Sequence, residues 1–199
     1  MKKNKTVEFL EQAFITQTKG HVDVSQKRDC WTEFAVKNNG KLNIKRTVAN
    51  DLVSYAIKFN EKHGSIEFRE SDTQPLRITC KIAGSRGLSF SIFREDFLEK
   101  AKKFFGGQDI VLGHPEFDEK YVVKGSDTET VKQILGAEKL LQMFVKTNPY
   151  SLFCQYNAKS EVTEIVCQLG RSVYSADGLQ DLYELFRILV CEIGNIKYR

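Results

Sequence analysis

Between Val53 and Phe93, apolar residues fall on every second position in four successive runs. The runs are Val53, Tyr55, Ile57 and Phe59; Ile66 and Phe68; Leu76, Ile78, Cys80 and Ile82; and Leu88, Phe90 and Ile92. Period two sends alternate side chains to opposite faces, as a half-buried strand requires. The spacers Asn60-Glu61-Lys62-His63-Gly64 and Ala83 to Gly87 are too short for crossover helices. The strands they join are therefore expected to form antiparallel hairpins. A helix through Leu52, Val53, Ala56 and Ile57 competes for the first run, because a short apolar stretch fits both periods.

Helical spacing brackets this block. Val7, Leu10, Ala13 and Phe14 follow Thr6 as a first helix, and Trp31, Phe34 and Ala35 follow Ser25 as a second, ended by Asn38-Asn39-Gly40. Phe97, Leu98, Ala101, Phe104 and Phe105 mark another helix, closed by Gly106-Gly107. Asp109 to Leu112 and Tyr121 to Val123 read as extended. Ser126-x-x-Glu129 is a capping box opening a helix through Val131, Ile134 and Leu135. After Gly136 a second helix carries Leu140, Leu141, Phe144 and Val145, with Pro149 beyond it. Leu152, Cys154 and Tyr156 pair with Thr163, Ile165, Cys167 and Leu169 in a hairpin. The last helix is capped by Asp177, bears the stripe Leu179, Leu182, Phe186, Leu189, Val190 and Ile193, and stops at Gly194.

These elements predict an α+β fold: a mostly antiparallel sheet with helices packed against one face. At 199 residues the chain is expected to be one domain, residues 1–199. It divides into a helical N-terminal segment (1–40), a strand-rich half with its closing helix (41–106), and a C-terminal half with helix pair, hairpin and final helix (107–199). A chain this long buries roughly 70% of its unfolded surface, so no disulfide or metal is needed to hold the core. Fourteen Phe and seven Tyr against two Met imply that aromatic rings fill it.

Charge and cysteines exclude several classes. The net charge is +4, with ten Lys/Arg against five Asp/Glu in residues 1–50 and ten against thirteen in 107–199. A dedicated nucleic-acid binder carries a denser basic stripe. Cys30, Cys80, Cys154, Cys167 and Cys191 are odd in number and widely spaced, with no C-x-x-C pair. Buried thiols in a reducing compartment are the expectation. Glu8, Glu11 and Gln12 interrupt the stretch after Met1-Lys2-Lys3-Asn4-Lys5 that an export signal needs to be apolar. No run reaches the length of a membrane span. A cytoplasmic location is expected, and no cofactor.

The segment Gly106 to Leu135 has the most distinctive pattern. Phe117-Asp118 is followed by the aromatic Tyr121, the β-branched pair Val122-Val123, a short polar loop, and a helix ending Ile134-Leu135. This block resembles one in uncharacterised bacterial domains of unknown function, and the likeness continues loosely through the helix pair, the hairpin and the closing helix. Trp31, Ala35 and the strands before Phe93 are compatible with it. The resemblance implies a shared fold and transfers no activity. Some such proteins carry membrane helices ahead of the domain, an arrangement not expected here.

Few residues are arranged for chemistry. His114, Glu116 and Asp118 would line one face if their segment were extended, and an imidazole with two carboxylates suits zinc, manganese, iron or a proton-transfer pair. Pro115 distorts such a strand. The competing reading is a surface loop in which Asp118 bonds the turn's backbone and Phe117 anchors in the core. Gly84-Ser85-Arg86-Gly87 lacks the length and following helix of a phosphate loop and reads as a hairpin turn. No nucleophile elbow occurs. Lys41, Lys45 and Arg46, with Arg77, Lys81 and Arg86, offer a basic surface without an aromatic platform. The leading expectation is a non-enzymatic binding or protein-interaction domain with a protein partner or self-association. Two alternatives stand beside it: a metal-assisted or acid–base enzyme at His114, Glu116 and Asp118, and a weak nucleic-acid or acidic-partner binder through the basic N-terminal half.

Overall fold

The computed structural model describes residues 24–47, 52–84, 87–95 and 108–196. The helices expected after Thr6 and through Phe97 to Phe105 lie outside these residues, as does Arg86. In chain order the described elements are α1 (Val24–Lys37), β1 (Lys41–Thr47), β2 (Leu52–Glu61), β3 (Gly64–Ser71), β4 (Gln74–Ala83), β5 (Ser89–Arg94) and β6 (Gln108–Ile110). They continue with α2 (Pro115–Lys120), β7 (Tyr121–Gly125), α3 (Thr128–Leu135), α4 (Glu138–Thr147), β8 (Ser151–Asn157), β9 (Val162–Gln168) and α5 (Ala176–Asn195).

All nine strands form one antiparallel sheet in the order β1-β2-β3-β4-β9-β8-β5-β7-β6. The fold is α+β, as the alternation predicts. Residues 52–57 are strand, not helix, and the β8–β9 hairpin pairs Leu152 with Cys167, Cys154 with Ile165 and Tyr156 with Thr163. Neighbour order is a different matter. β4 and β5 do not form the hairpin expected around Ala83 to Gly87, because β9 and β8 lie between them. Cys80 stands across from Ile165, and Phe90 across from Cys154. β9 is buried on both faces over Ile165, Val166 and Cys167, so its place is the middle of the sheet.

The described helices cover one face. Tyr55, Ile57, Phe59, Ile66, Phe68, Ile78 and Cys80 are buried on that side, and α5 packs over β3 and β4. Phe34 of α1 makes ring contacts with Phe59, Phe68 and Tyr183 at 5.4, 5.5 and 5.9 Å, and Trp31 sits 5.5 Å from Tyr55. Burying each such side chain contributes about 1.5–3 kcal/mol. That outweighs helix propensity differences of about 0.7 kcal/mol or less per residue, so tertiary packing holds α1 in place.

The end of α1 sets the path of β1. Asn39 takes φ 53°, and a Cβ added at Gly40 would come within 2.4 Å of the Phe59 ring. Only glycine lets the chain cross that ring and enter the sheet beside β2.

Several boundaries differ from the sequence reading. The N-cap of α3 is Asp127, whose carboxylate accepts from Thr130 N at 3.1 Å and Thr130 Oγ1 at 2.6 Å, in place of Ser126. Ser175 caps α5, accepting from Gly178 N at 3.1 Å, and leaves Asp177 in the first turn near the positive end of the helix dipole. Helix α5 continues through Gly194 to Asn195. A Cβ at Gly194 would lie 2.5 Å from the ring of His63, so this glycine serves close packing against the β2–β3 turn.

Candidate functional site

The segment carrying His114, Glu116 and Asp118 is helical where an extended course was considered. Pro115 opens α2, for which its fixed φ is suited. His114 is the N-cap, its Nδ1 accepting from Phe117 N at 3.3 Å. The Asp118 carboxylate accepts from Leu112 N at 3.1 Å and Gly113 N at 2.8 Å. Phe117 is buried, stacked 4.9 Å from Tyr121 and edge-on to Phe144. At about 100° per residue, Glu116 and Asp118 leave opposite sides of the turn. Glu116 is exposed. The imidazole and one carboxylate thus satisfy local backbone donors, and among the described residues no group of three His, Cys, Asp or Glu is placed to hold a metal ion.

Arg77 and Lys81 point to the sheet face away from the helices. Arg77 lies across from Arg69 and Gln168, and Lys81 across from Ser65 and Glu164. Glu67 shares this face, across from Thr79, and pairs with Arg69 at 2.8 Å. Charges of both signs mix on this face, with Glu67 beside Arg69 and Arg77, and Glu164 across from Lys81.

A cleft of about 300 Å³ opens where α4 ends and α5 begins, lined by Lys146, Arg171, Ser172, Tyr174 and Asp181 among others. Its opposite charges meet each other, Lys146 Nζ lying 2.7 Å from Asp181 Oδ1. Deeper in the fold, Lys27 Nζ and Glu70 Oε1 form an ion pair at 2.7 Å, the two side chains 1% and 0% exposed. The Lys27 ammonium also lies 5.5 Å from the Tyr55 ring centroid and 5.9 Å from that of Tyr174. Burial pushes the Glu70 carboxyl above the usual range, while Lys27 and then Ser172 pull it back. Sequence reasoning missed this pair: its members are 43 residues apart, and no local pattern marks them.

Burial also raises the thiol of Cys30 to about 11 and lifts those of Cys80, Cys154 and Cys167 strongly. These four are poor nucleophiles at neutral pH. All five cysteines are free, and Cys191 is exposed.

Among the described residues the most accessible regular element is β1. It ends the sheet and is exposed at six of seven positions, Leu42 alone being half-buried. Its open-face residues are Lys41, Asn43 and Lys45; Leu42, Ile44 and Arg46 face the helix side, opposite Ile57, Tyr55 and Val53. Ile44 is 40% exposed. The opposite edge, β6, is three residues long and packs beside α3. Sequence reading assigned β1 no strand, since only two of its seven residues are apolar.

No protein-family model matches this chain, and no curated protein matches it. A solved structure similar to it is the mycobacterial trehalose monomycolate transport factor A, TtfA, with 8% sequence identity over 83% of this chain and 97% of that chain, at a TM-score of 0.45. A likeness at that level carries no argument about role.

Proposed function

We propose that this domain is a non-enzymatic binding module that receives an extended segment of a partner protein along the outer edge of β1. The observation that carries the reading is the exposure of a seven-residue regular strand at one end of the sheet. An edge strand presents a row of main-chain donors and acceptors at fixed spacing, and adding a strand satisfies them. Seven residues at roughly 3.3 Å each give a docking track of about 23 Å. The helix-covered body behind it supplies rigidity: β1 is registered on β2 along its whole length and anchored at Gly40 over Phe59. Five free cysteines support a reducing, cytoplasmic setting for the interaction.

A photo-crosslinking residue placed at Asn43 in the full chain tests this reading, with Lys81 on β4 as the control position. The reading expects cross-links from position 43 to one contiguous partner segment, competed by a synthetic peptide of that segment. Equal cross-linking from position 81, or none from position 43, contradicts it.

A further inference from the structure

Resting on that reading, we infer that the segment β1 receives is acidic, with the alternation acidic–apolar–any–apolar–acidic. A strand added to an edge continues the pleat, so its side chains align with those of β1 on each face. On the open face they would meet Lys41 and Lys45, and on the helix side Leu42 and the exposed Ile44. The pattern reads the same in both directions, so it holds for parallel and antiparallel addition.

Charge supports this choice of occupant. Lys41 stands directly across from Lys58, which in turn stands across from Glu67, a carboxylate already held by Arg69 at 2.8 Å. Among the described residues no carboxylate pairs with Lys41, Lys45 or Lys58. Among the described residues, Lys41, Lys45, Lys58 and Arg69 share this corner with the carboxylate Glu67, which leaves it net positive. The same charges oppose a second copy of this chain. Antiparallel self-pairing centred on Asn43 would set Lys41 of each copy against Lys45 of the other, and like charges in direct register repel.

The test measures binding of short fluorescent threonine-based peptides to the full chain. One carries Glu-Val-Thr-Val-Glu at its centre; the others replace both Glu by Gln or by Lys. Each also carries a photo-crosslinker to locate it. The Glu peptide is expected to cross-link to β1 and to bind roughly three- to tenfold more tightly than the Gln peptide. That preference should shrink toward unity at about 0.5 M salt and reverse in the double variant Lys41→Glu, Lys45→Glu. Equal affinity of Glu and Gln peptides, both cross-linking to β1, overturns the acidic preference and leaves the edge reading intact. Binding of no peptide at β1 overturns both. A preference that survives charge reversal, or a single-stranded DNA that displaces the Glu peptide from β1 and binds there more tightly, places the recognised charge elsewhere and overturns the inference.

Discussion

Lys41 of β1 and Lys58 of β2 face each other in direct register on the open side of the sheet, and among the described residues neither forms an ion pair, although Glu67, held by Arg69, stands on the far side of Lys58. Such a pair is mildly destabilising. Acidic side chains of the proposed added strand would lie beside these lysines and relieve the repulsion.

Lys41→Glu should therefore stabilise the free domain by about 0.2–1 kcal/mol, since it turns a like-charge pair into an opposite one. Urea unfolding at low salt measures this. The same substitution should weaken acidic-peptide binding, so that stability and binding move in opposite directions. A destabilised Lys41→Glu variant contradicts the register argument.

The Lys27–Glu70 pair predicts larger effects. Removing either partner leaves a buried charge uncompensated, at about 3–5 kcal/mol, so Lys27→Met and Glu70→Leu should each be severely destabilised. The double variant should cost much less than the sum of the two. The pH dependence has a definite sign. Burial already raises the Glu70 carboxyl, and Lys27 opposes that rise; without Lys27 it climbs further. A group whose folded pKa is raised contributes stability below its unfolded pKa and loses it as pH rises through the folded value. Lys27→Met should accordingly lose less stability at pH 4 than at pH 7. Equal losses at both contradict this account.

Thiol accessibility offers an independent check on the core. In the native chain, one cysteine, Cys191, should react rapidly with a thiol reagent at neutral pH, and all five should react in denaturant. Rapid labelling of Cys80, Cys154 or Cys167 in the folded protein would show that the sheet centre is not closed as described.

For the α2 corner, Asp118→Ala should destabilise by about 1–2 kcal/mol, the value of two backbone hydrogen bonds to a carboxylate partly open to solvent. Added zinc or a chelator should leave the melting temperature of the wild-type chain unchanged. A metal-dependent shift abolished by His114→Ala would instead assign this corner to metal binding.

The strands β2, β3 and β4 and the stripe of α5 were legible because each buries one face, and burial writes its period into the sequence. The sheet order was not, because alternation fixes which face of a strand is apolar and says nothing about its neighbour; hence β4 and β5 were expected to pair while the β8–β9 hairpin stands between them. β1 escaped for the converse reason. An exposed edge strand such as Lys-Leu-Asn-Ile-Lys-Arg-Thr has almost no burial to record, although its lysines read as part of a basic surface. Caps were displaced by one or two residues because Ser126 and Asp127, or Ser175 and Asp177, offer equivalent side-chain acceptors, and only backbone geometry chooses between them. Glu70 lay in a strand whose apolar neighbours concealed it, and its partner on α1 is visible only in three dimensions.

Residue-resolved amide hydrogen exchange of the full chain, free and saturated with the Glu-Val-Thr-Val-Glu peptide, tests the central claim most directly. In the free chain β2 occupies alternate amides of Lys41–Thr47, so exchange should be slow at those positions and fast at the ones between. Strand addition predicts that the fast set becomes slow on binding. A fast set unchanged in the saturated complex, or protection confined to the Arg171–Ser175 cleft, would contradict it.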